Sequence, residues 1–565
     1  MLTPSPVRGT RTTHCDDVVA ERYARPMHTR RTHRRIRTGS TRFRAGLFAA
    51  ALLATACSAQ GASTSAGSPA AESAGSTEAA TATLAALPQA TPSALAPYYE
   101  QKLAWRDCGV PGFQCATMKA PLDYAKPTEG DVRLAVARKK ATGPGKRLGS
   151  LLVNPGGPGG SAIGYLQQYA GVGYPAKVRA QYDMVAVDPR GVARSEPVEC
   201  LDGREMDTFT QTDTTPDDAG ETDALVDAYK KFAEGCGADA PKLLRHVSTV
   251  EAARDMDVLR AVLGDEKLNY VGASYGTFLG ATYAGLFPDR TGRLVLDGAM
   301  DPSLPARRMN LEQTAGFETA FQSFAKDCVK RSDCPLGGKG TSPEQVGKNL
   351  TSFFDDLDAK PIPAGDADGR RLTESLATTG VIAAMYDEGA WQQLRESLTS
   401  AMKEKDGAGL LILSDSYYER GSDGGYSNLM YANAAVNCLD LPAAFSSPDE
   451  VRDALPDFEK ASPVFGEGLA WASLNCAYWP VKPTGEPHRI EAAGAAPIVV
   501  VGTTRDPATP YRWAQALAGQ LSSGRLLTYE GDGHTAYGRG SACIDSAINT
   551  YLLTGTAPED GKRCS

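Results

Sequence analysis

One short stretch of the 565-residue chain has the composition of a turn that could present a nucleophile. Gly272-Ala-Ser274-Tyr-Gly276 is the one Gly-x-Ser-x-Gly match in the sequence, and it separates an apolar run from a stretch of helical composition. A tight turn between a strand and a helix lifts a serine hydroxyl clear of its sheet, and side chains at the two glycine positions would collide with neighbouring backbone. We therefore predict that Ser274 is a nucleophile; an ordinary glycine-rich turn is the alternative.

A serine hydroxyl is a poor nucleophile until a base takes its proton. His534 is the best-placed histidine, because Gly531-Asp-Gly-His534 directly follows the last apolar run. His246 precedes a predicted helix start, and His488 lies in a connection rich in Pro and Gly. The sequence therefore predicts that His534 is the base.

The base in turn needs a carboxylate that holds its tautomer and stabilises the imidazolium. Asp506 fits this role, since it follows another apolar run in Gly-Thr-Thr-Arg-Asp506-Pro-Ala-Thr-Pro. Asp297 and Asp301 follow a different run and remain alternatives, whereas Asp532 is badly placed to reach the ring of His534 from the same turn. The order Ser, Asp, His along the chain differs from the orders in chymotrypsin and subtilisin.

A tetrahedral oxyanion must be met by fixed donors, which are usually backbone N–H groups. The loop Asn154-Pro-Gly-Gly-Pro-Gly-Gly160 can present such groups, because few side chains obstruct it. The N–H of Tyr275, directly after the nucleophile, is the second expected donor. The loop lacks the Lys-Ser/Thr pair of a phosphate-binding loop and the Gly spacing of a dinucleotide site, so both of those functions are disfavoured.

The elements that must position these residues alternate between strands and helices. Short β-rich runs end in Gly- or Asp-containing turns, at 132–141, 148–153, 182–187, 268–271, 294–296, 498–501 and 526–529. Such runs, with helical stretches between them, predict an α/β fold with a mostly parallel central sheet, helices on both faces, and ligands at the carboxyl ends of the strands. Between 303 and 490 the pattern becomes mostly helical, and it resumes after 495. We predict a core of 96–302 and 491–565 divided by a helical insertion at 303–490; a second independent domain is the alternative.

Five motifs that occur in order along 95–565 resemble one family. They are Asn154-Pro-Gly-Gly-Pro-Gly-Gly-Ser161, Asp188-Pro-Arg-Gly-Val-Ala-Arg-Ser195, Gly272-Ala-Ser-Tyr-Gly-Thr277, Asp506-Pro-Ala-Thr-Pro510 and Gly533-His534. Together they resemble the proline-iminopeptidase and tripeptidyl-aminopeptidase branch of the α/β hydrolases, particularly the exported actinobacterial tripeptidyl aminopeptidases. Pro155 departs from the His of proline iminopeptidases, and Ala193 from a common Gly; both departures bear on substrate class rather than on chemistry.

The resemblance implies an α/β-hydrolase fold with a helical cap over the site and the activity of a serine exopeptidase without a cofactor. It implies that Ser274 is the nucleophile, that Asp506 orients His534, and that His534 is the general acid and base. By the same resemblance, Gly157 and Tyr275 form the oxyanion hole.

An aminopeptidase must also hold the α-ammonium of its substrate at a fixed distance from the nucleophile. The cap is the expected source of an anionic anchor. Asp440, beside Cys438, and Glu419, in an acidic Tyr-rich stretch, are the two candidates that the sequence offers. For each of them, an exposed and solvated carboxylate is the alternative interpretation.

The amino-terminal part has the composition of an export signal. Arg-rich sequence leads into an apolar stretch that ends at Ala56 and is followed by Cys57, which gives a predicted signal peptide at 1–56. Two interpretations are open: a lipobox with lipidation of Cys57, which we favour, or ordinary cleavage after Ala56. Residues 57–95 are rich in Ser, Ala, Thr and Gly and are predicted to be a flexible linker. The expected location is outside the cytoplasm, with membrane contact only through the lipid at Cys57, or secreted.

Charge and cysteine content exclude some partners. Residues 1–56 hold eleven Arg against three acidic residues, although the whole chain carries −8, so the rest is strongly acidic and unsuited to nucleic acid. No Cys-x-x-Cys occurs among the 12 cysteines, so a metal site is not expected. In an exported chain, the ten cysteines beyond Cys57 predict disulfides, and their spacing favours the sequential pairs 108–115, 200–236, 328–334, 438–476 and 543–564.

The expected partners are therefore peptide substrates, and the expected function is that of an exported serine aminopeptidase. An esterase or lipase on the same fold is one alternative, because fold and triad do not set the acyl substrate. A catalytically silent peptide-binding lipoprotein is the other.

Overall fold

The computed structural model describes residues 81–565. Over this part of the chain there are twelve strands. They are β1 Arg106–Asp107, β2 Gln114–Pro121, β3 Asp131–Lys139, β4 Gly149–Asn154, β5 Tyr182–Val187, β6 Leu268–Ala273, β7 Thr291–Asp297, β8 Ile362–Pro363, β9 Arg371–Leu372, β10 Ile498–Arg505, β11 Gly524–Asp532 and β12 Lys562–Cys564.

Ten of these strands form one sheet in the order β1-β2-β3-β5-β4-β6-β7-β10-β11-β12, and β8 pairs only with β9. The pairs among β1, β2, β3 and β5 are antiparallel, and all pairs from β5 to β12 are parallel. The carboxyl ends of the parallel strands therefore lie along one edge of the sheet. This confirms the predicted α/β-hydrolase fold. The strands β1, β2 and β12 of this sheet were not predicted.

The same residues form eighteen α-helices, several of them very short. They are α1 Ala96–Tyr99, α2 Ala162–Tyr165, α3 Gly171–Gly173, α4 Ala176–Gln181, α5 Gly203–Thr210, α6 Ala219–Asp239, α7 Thr249–Val262, α8 Tyr275–Leu286, α9 Ala306–Cys328, α10 Pro343–Ala359, α11 Glu374–Met385, α12 Trp391–Thr399, α13 Ala408–Tyr418, α14 Leu429–Asp440, α15 Pro448–Ala461, α16 Gly466–Ala472, α17 Tyr511–Gln520 and α18 Ala542–Thr554. Single 3-10 or π turns lie at Ser93–Leu95, Leu166–Ala170, Leu243–Arg245, Pro288–Arg290, Glu388–Ala390, Ser400–Glu404 and Asn475–Tyr478. None of the described helices is both long and apolar enough to cross a bilayer.

Both faces of the sheet are covered, which explains the continuous apolar runs in its central strands. Along β10, Ile498 and Val500 pack on one side with α7, α8 and α17. Val499 and Val501 point to the other side and pack with α2, α4 and α18. Alternate residues of one strand therefore serve two separate cores.

The chain between β7 and β10 forms a mostly helical cap (residues 298–497), which contains α9 to α16 and the β8–β9 hairpin. The cap has its own apolar core, in which Phe321, Phe324 and Trp391 are buried. Helix α6, which belongs to the crossover between β5 and β6, also packs on it: Leu225 and Tyr229 lie against side chains of α15 and α16. Two segments of the chain, α6 and the cap, therefore pack together over the sheet, whereas the sequence predicted only the insertion at 303–490.

A buried ion pair fixes the loop that follows β5. The guanidinium of Arg190 is fully buried and donates to both carboxylate oxygens of Asp255 in α7, at 2.8 and 2.7 Å. It also donates to Glu251 at 2.8 Å and to the carbonyl oxygens of Leu122 and His246. Burial of the Glu251 carboxyl raises its pKa to about 7. The Asp-Pro-Arg-Gly motif thus anchors this loop to a helix.

Five disulfides connect the described cysteines, and they are the five predicted pairs: Cys108–Cys115, Cys200–Cys236, Cys328–Cys334, Cys438–Cys476 and Cys543–Cys564. Cys438–Cys476 joins α14 to the turn at Asn475–Tyr478 and so closes one part of the cap on itself.

The predicted linker at 57–95 is wrong at its carboxyl-terminal end. The N–H of Leu84 donates to the carbonyl of Arg489 at 2.8 Å, and the N–H of Leu87 donates to that of Leu286 at 2.9 Å. Leu84 and Leu87 also pack against the main apolar core. Because apolar side chains occur among the small residues here, this stretch can bury surface that the composition alone did not suggest. The predicted signal peptide and Cys57 lie outside the described residues.

Candidate active site

Ser274 occupies a strained turn between β6 and α8. Its backbone has φ 57° and ψ −126°, a conformation that costs a non-glycine residue roughly 1–3 kcal/mol. The N–H of Ser274 donates to the carbonyl of Asp297 at 2.8 Å, and its own carbonyl accepts the N–H and the hydroxyl of Thr277 at 2.8 and 2.6 Å. These bonds hold the turn in place.

The predicted reason for the flanking glycines is confirmed. A Cβ on Gly272 would lie 2.3 Å from the carbonyl oxygen of Gly276, and a Cβ on Gly276 would lie 2.9 Å from that of Asn154. Both contacts are with backbone, which cannot move aside. The strand before Ser274 and the helix after it therefore approach as closely as only glycine permits.

His534 and Asp506 are brought together by the ends of β11 and β10. Nδ1 of His534 lies 2.8 Å from Oδ1 and 3.0 Å from Oδ2 of Asp506. The carboxylate is fully buried and also accepts the N–H groups of Ala508, Thr509 and Thr535, at 3.0, 2.9 and 3.2 Å. Because an ionised carboxylate only accepts hydrogen bonds, Nδ1 carries the ring proton. Nε2 is thereby left as the unprotonated nitrogen.

The Nε2 atom of His534 is buried and has no hydrogen-bond partner among residues 81–565. The ring lies against Tyr386 of the cap, with centroids 5.5 Å apart and the planes nearly perpendicular. An unpaired acceptor in a buried position is costly in a purely structural role. The site is therefore arranged to take up a proton at this nitrogen.

The competing carboxylates have other partners. Asp297 accepts the N–H groups of Ala536 and Tyr537, at 2.8 to 3.1 Å, and burial raises its pKa. Asp301 accepts from Ser303 and Gln520. Asp532 forms a two-bond ion pair with Arg505 at 2.7 Å. Asp297 nevertheless supports the loop that carries His534, because it accepts the backbone N–H groups of Ala536 and Tyr537.

The other two histidines lie elsewhere in the fold. His246 gives its carbonyl to Arg190, and burial lowers the pKa of its ring. Nδ1 of His488 donates to the carbonyl of Glu486, 2.8 Å away, and the ring lies beside Phe278.

The glycine loop after β4 packs directly on the nucleophile turn. A Cβ on Gly156 would lie 2.5 Å from the carbonyl oxygen of Ala273 and 2.9 Å from the nitrogen of Tyr275. Tyr275 is the first residue of α8, so its N–H has no partner within the helix. Gly157 (φ 112°) lines the same cavity as Ser274. The two predicted oxyanion donors, Gly157 and Tyr275, therefore belong to two segments that touch at the serine turn.

A cavity of about 280 Å³ opens beside Ser274 under the cap. Its wall includes Asn310 and Gln313 from α9 and Asn433 and Asn437 from α14. Asn433 donates to the carbonyl of Pro158 at 3.1 Å, and Asn437 donates to the Asn433 side chain at 3.0 Å. Of the described residues that line it, none is Asp or Glu. We call it the acyl cavity.

Neither predicted ammonium anchor lines the acyl cavity. Asp440 is buried, accepts the N–H of Thr249 at 2.8 Å and a bond from the Thr249 hydroxyl, and has its pKa raised to about 7 by burial. It therefore caps α7 from the far side of α14. Glu419 is exposed at the end of α13 and accepts from Ser427. The prediction that Asp440 or Glu419 binds the substrate ammonium is therefore wrong. Both carboxylates have partners elsewhere, and neither lines the acyl cavity.

A second and larger cavity, of about 890 Å³, lies on the other side of His534. Its wall includes Pro155, Ala273 and His534 together with Tyr165, Tyr169 and Tyr174. We call it the tyrosine cavity. Ser274 thus lines the acyl cavity, whereas His534 and Ala273, the residue before Ser274, line the tyrosine cavity.

Sequence reasoning missed the contribution of the cap to the histidine loop. The carbonyl of Tyr386, at the end of α11, accepts the N–H of His534 at 2.9 Å and a bond from Arg539 at 3.3 Å. The hydroxyl of Thr509 lies 3.4 Å from Nδ1 of His534. Thr509 stands within the Asp-Pro-Ala-Thr-Pro motif, which was the available signal, whereas nothing in the sequence around Tyr386 pointed to the site. No three His, Cys, Asp or Glu side chains within 81–565 are grouped as metal ligands would be.

Known proteins resemble this chain along most of its length. Residues 462–564 match the family described as TAP-like protein. Serine protease Hip1 of Mycobacterium tuberculosis is 39% identical over 489 residues, which cover 83% of this chain and 92% of the relative. Carboxylesterase B of the same species is 36% identical over 464 residues, covering 80% and 86%. Tripeptidyl aminopeptidase of Streptomyces coelicolor is 33% identical over 481 residues, covering 80% and 84%. Similarity of this extent, on a fold with these strand-end residues, shows that the chain belongs to the TAP-like family of α/β hydrolases.

Proposed function

We propose that this protein is a serine exopeptidase that removes short peptides, in particular tripeptides, from free amino termini. The observation that carries the proposal is the bond from Nδ1 of His534 to Asp506, which leaves Nε2 unpaired at the edge of the sheet where Ser274 stands. The relatives named as a serine protease and a tripeptidyl aminopeptidase support the choice of peptide substrates.

In the proposed reaction, Nε2 of His534 takes the proton of the Ser274 hydroxyl as Oγ attacks the scissile carbonyl. The N–H groups of Gly157 and Tyr275 stabilise the oxyanion. The imidazolium then gives its proton to the leaving amine, the C–N bond breaks, and an acyl ester remains on Ser274. Water, deprotonated by the same ring, hydrolyses this ester. Asp506 stabilises the positive ring at each stage.

The acyl cavity supports a short amino-terminal segment as the acyl group. Side chains of α9 and α14 cover it from the cap side. Its volume of about 280 Å³ has room for a few substrate residues, and not for a polypeptide that extends far beyond them. With no Asp or Glu among its described lining residues, we propose that the α-ammonium is held by amide oxygens, those of Asn310 and Asn437 being the candidates. Neutral oxygens bind an ammonium more weakly than a carboxylate does, but they still satisfy its donors.

The test is a panel of tripeptidyl and single-residue anilides together with short acyl p-nitrophenyl esters. We expect tripeptidyl anilides to give the highest kcat/KM, and Ser274→Ala to abolish their turnover. Ser523→Ala is the matched control, because the Ser523 hydroxyl donates to the Ala496 carbonyl at 2.8 Å at the amino ends of β10 and β11, on the opposite edge of the sheet from the site. Turnover of esters alone would instead support the esterase function that the carboxylesterase relative suggests. Failure of a fluorophosphonate to label Ser274 in the folded protein would support a silent binding protein.

We further propose that the protein acts outside the cytoplasm, anchored through a lipid on Cys57. The five disulfides in the described part of the chain support export, since such bonds persist in oxidising compartments. Replacing Cys57 by Ser should move the protein from the membrane fraction to the medium, whereas Cys15→Ser should leave it in the membrane fraction. An unchanged membrane fraction with Cys57→Ser would contradict lipidation.

A further inference from the structure

The tyrosine cavity has no role in the steps derived so far, although His534 forms part of its wall. It is about three times as large as the acyl cavity, at about 890 against 280 Å³. Ser274 and Gly157 line the acyl cavity, and His534, Ala273 and Pro155 line the tyrosine cavity. The triad therefore stands between two spaces, with the nucleophile facing one and the base facing the other.

The reaction determines which part of the substrate lies in which cavity. The acyl part of a substrate must lie with its carbonyl carbon at Ser274 and its oxygen at the donors beside Gly157. The leaving nitrogen receives its proton from the ring of His534, so the chain that follows the cleaved bond must begin at that ring. On that side the structure offers the tyrosine cavity.

One part of the wall of the tyrosine cavity is aromatic, and the rest carries charged side chains, among them Asp387, Arg395 and Arg539. The ring centroid of Tyr169 lies 5.4 Å from that of Tyr165 and 5.8 Å from that of Tyr174. Tyr174 in turn lies 5.1 Å from Tyr537, edge to face. Tyr169 is 37% exposed, which is unusual for so large a ring in this fold. Such rings favour an aromatic or bulky apolar side chain stacked against them.

Charged groups at the same cavity are largely neutralised by one another. Arg539 pairs with Asp387 at 2.8 Å, and Arg395 pairs with Asp327 at 3.3 Å. Paired charges at a rim add little affinity for a charged ligand. We therefore expect the aromatic part of the wall to discriminate between ligands more than these paired charges do.

We infer that the tyrosine cavity binds the polypeptide on the carboxyl side of the cleaved bond, and that it prefers an aromatic or bulky apolar residue directly after that bond. The inference rests on the proposed exopeptidase function and adds a specificity that this function does not require. The enzyme then binds its substrate on both sides of the cleaved bond. The acyl cavity holds the short amino-terminal segment, and the tyrosine cavity holds the first residues of the remaining chain.

The test compares two substrates that share one tripeptide. In the first the tripeptide ends in a primary amide, whose small leaving group leaves the tyrosine cavity nearly empty; in the second it is followed by Phe and three further residues. Tyr169→Ala should lower the ratio of kcat/KM for the peptide to that for the amide about tenfold, mainly through KM. A peptide with Gly in place of Phe should show a change of less than threefold. Val172→Ala is the control, since Val172 is 45% exposed nearby and is not part of the cavity wall.

The outcomes separate the two proposals. If the wild-type protein cleaves neither substrate, the exopeptidase function is wrong. If it cleaves both but Tyr169→Ala lowers their kcat/KM values equally, or if Phe and Gly peptides respond alike, the assignment of the tyrosine cavity is wrong and the exopeptidase function stands. Tyr165→Phe, which keeps the ring and removes only the hydroxyl, should retain the preference for Phe; loss of that preference would also overturn the assignment.

Discussion

Replacing Asp506 by Asn should disable the site by reversing the tautomer of His534. Oδ1 of Asp506 accepts the backbone N–H groups of Ala508 and Thr509, whereas Oδ2 accepts only that of Thr535. The oxygen of an asparagine would therefore take the Oδ1 position, with its NH2 group toward Oδ2 and the ring. Because the oxygen at the Oδ1 position already accepts two backbone N–H groups, and the NH2 group would lie 3.0 Å from Nδ1, we expect the ring to accept from that NH2 group. The ring proton would then be on Nε2, which could no longer take a proton from Ser274.

The size of the effect follows from the geometry. A carboxylate bonded at 2.8 Å to Nδ1 lies about 4 Å, charge to charge, from the imidazolium that forms. At an effective dielectric constant of about 20 this attraction amounts to about 4 kcal/mol. Each ~1.4 kcal/mol is a tenfold change in rate, so its loss alone lowers kcat about 10³-fold. The wrong tautomer adds to this, and the corresponding change in trypsin lowers kcat about 10⁴-fold.

The assay is the kcat/KM of Asp506→Asn on a tripeptidyl anilide, with thermal unfolding measured in parallel. We expect a loss of about 10³ to 10⁴ in a chain that still folds. Asp301→Asn is the matched control: Asp301 is buried nearby, but its carboxylate is bonded to Ser303 and Gln520, and it should stay within about threefold of wild type. A variant Asp506→Asn with more than a tenth of the wild-type rate would refute the assigned role.

Three further predictions concern stability, each measured by urea unfolding. Burial raises the pKa of Asp440 to about 7 from an unfolded value near 4, so the free energy of unfolding should fall by up to about 4 kcal/mol as the pH rises from 4 to 7. Asp440→Asn should make this pH profile flatter. Asp255→Asn should cost about 3–5 kcal/mol, because it leaves the buried guanidinium of Arg190 without its main partner. Replacing Cys438 and Cys476 together by Ser should cost about 4 kcal/mol, since the bridge closes a loop of 38 residues.

Two of these predictions have a matched control. Asp131→Asn breaks an exposed pair with Lys119 and should cost less than about 1 kcal/mol. The Cys328–Cys334 bridge spans 6 residues, so its removal should cost about 2 kcal/mol, half as much as the longer loop. An unchanged pH profile in Asp440→Asn, or equal costs within either pair, would contradict the corresponding reasoning.

The central strands and the catalytic order could be predicted because both depend on local signals. Strands such as β10 are buried on two faces and therefore appear as continuous apolar runs, and the turns that carry Ser274, Asp506 and His534 follow them directly. The strands β1, β2 and β12 escaped prediction. The two edge strands, β1 and β12, span only two and three residues, and β2 contains a single β-branched residue, Thr117, and no aromatic one.

The residues that recognise the substrate could not be predicted in the same way. Asp440 and Glu419 have suitable chemistry, but whether a carboxylate faces a cavity depends on how a helix such as α14 is rotated against its neighbours. In the structure that rotation directs Asp440 to Thr249 and presents Asn433 to the cavity. The same holds for the tyrosine wall, whose members come together only when the loop after β4 folds over the sheet edge.

The bond from the His534 N–H to the carbonyl of Tyr386 couples the cap to the proton-transferring residue. The residues that follow are held from the other side, because Thr535 donates to Asp506, and Ala536 and Tyr537 donate to Asp297. The cap and the edge of the sheet therefore meet at the backbone of one short loop. A substitution that displaces the end of α11 can in this way reach the catalytic ring without altering the sheet.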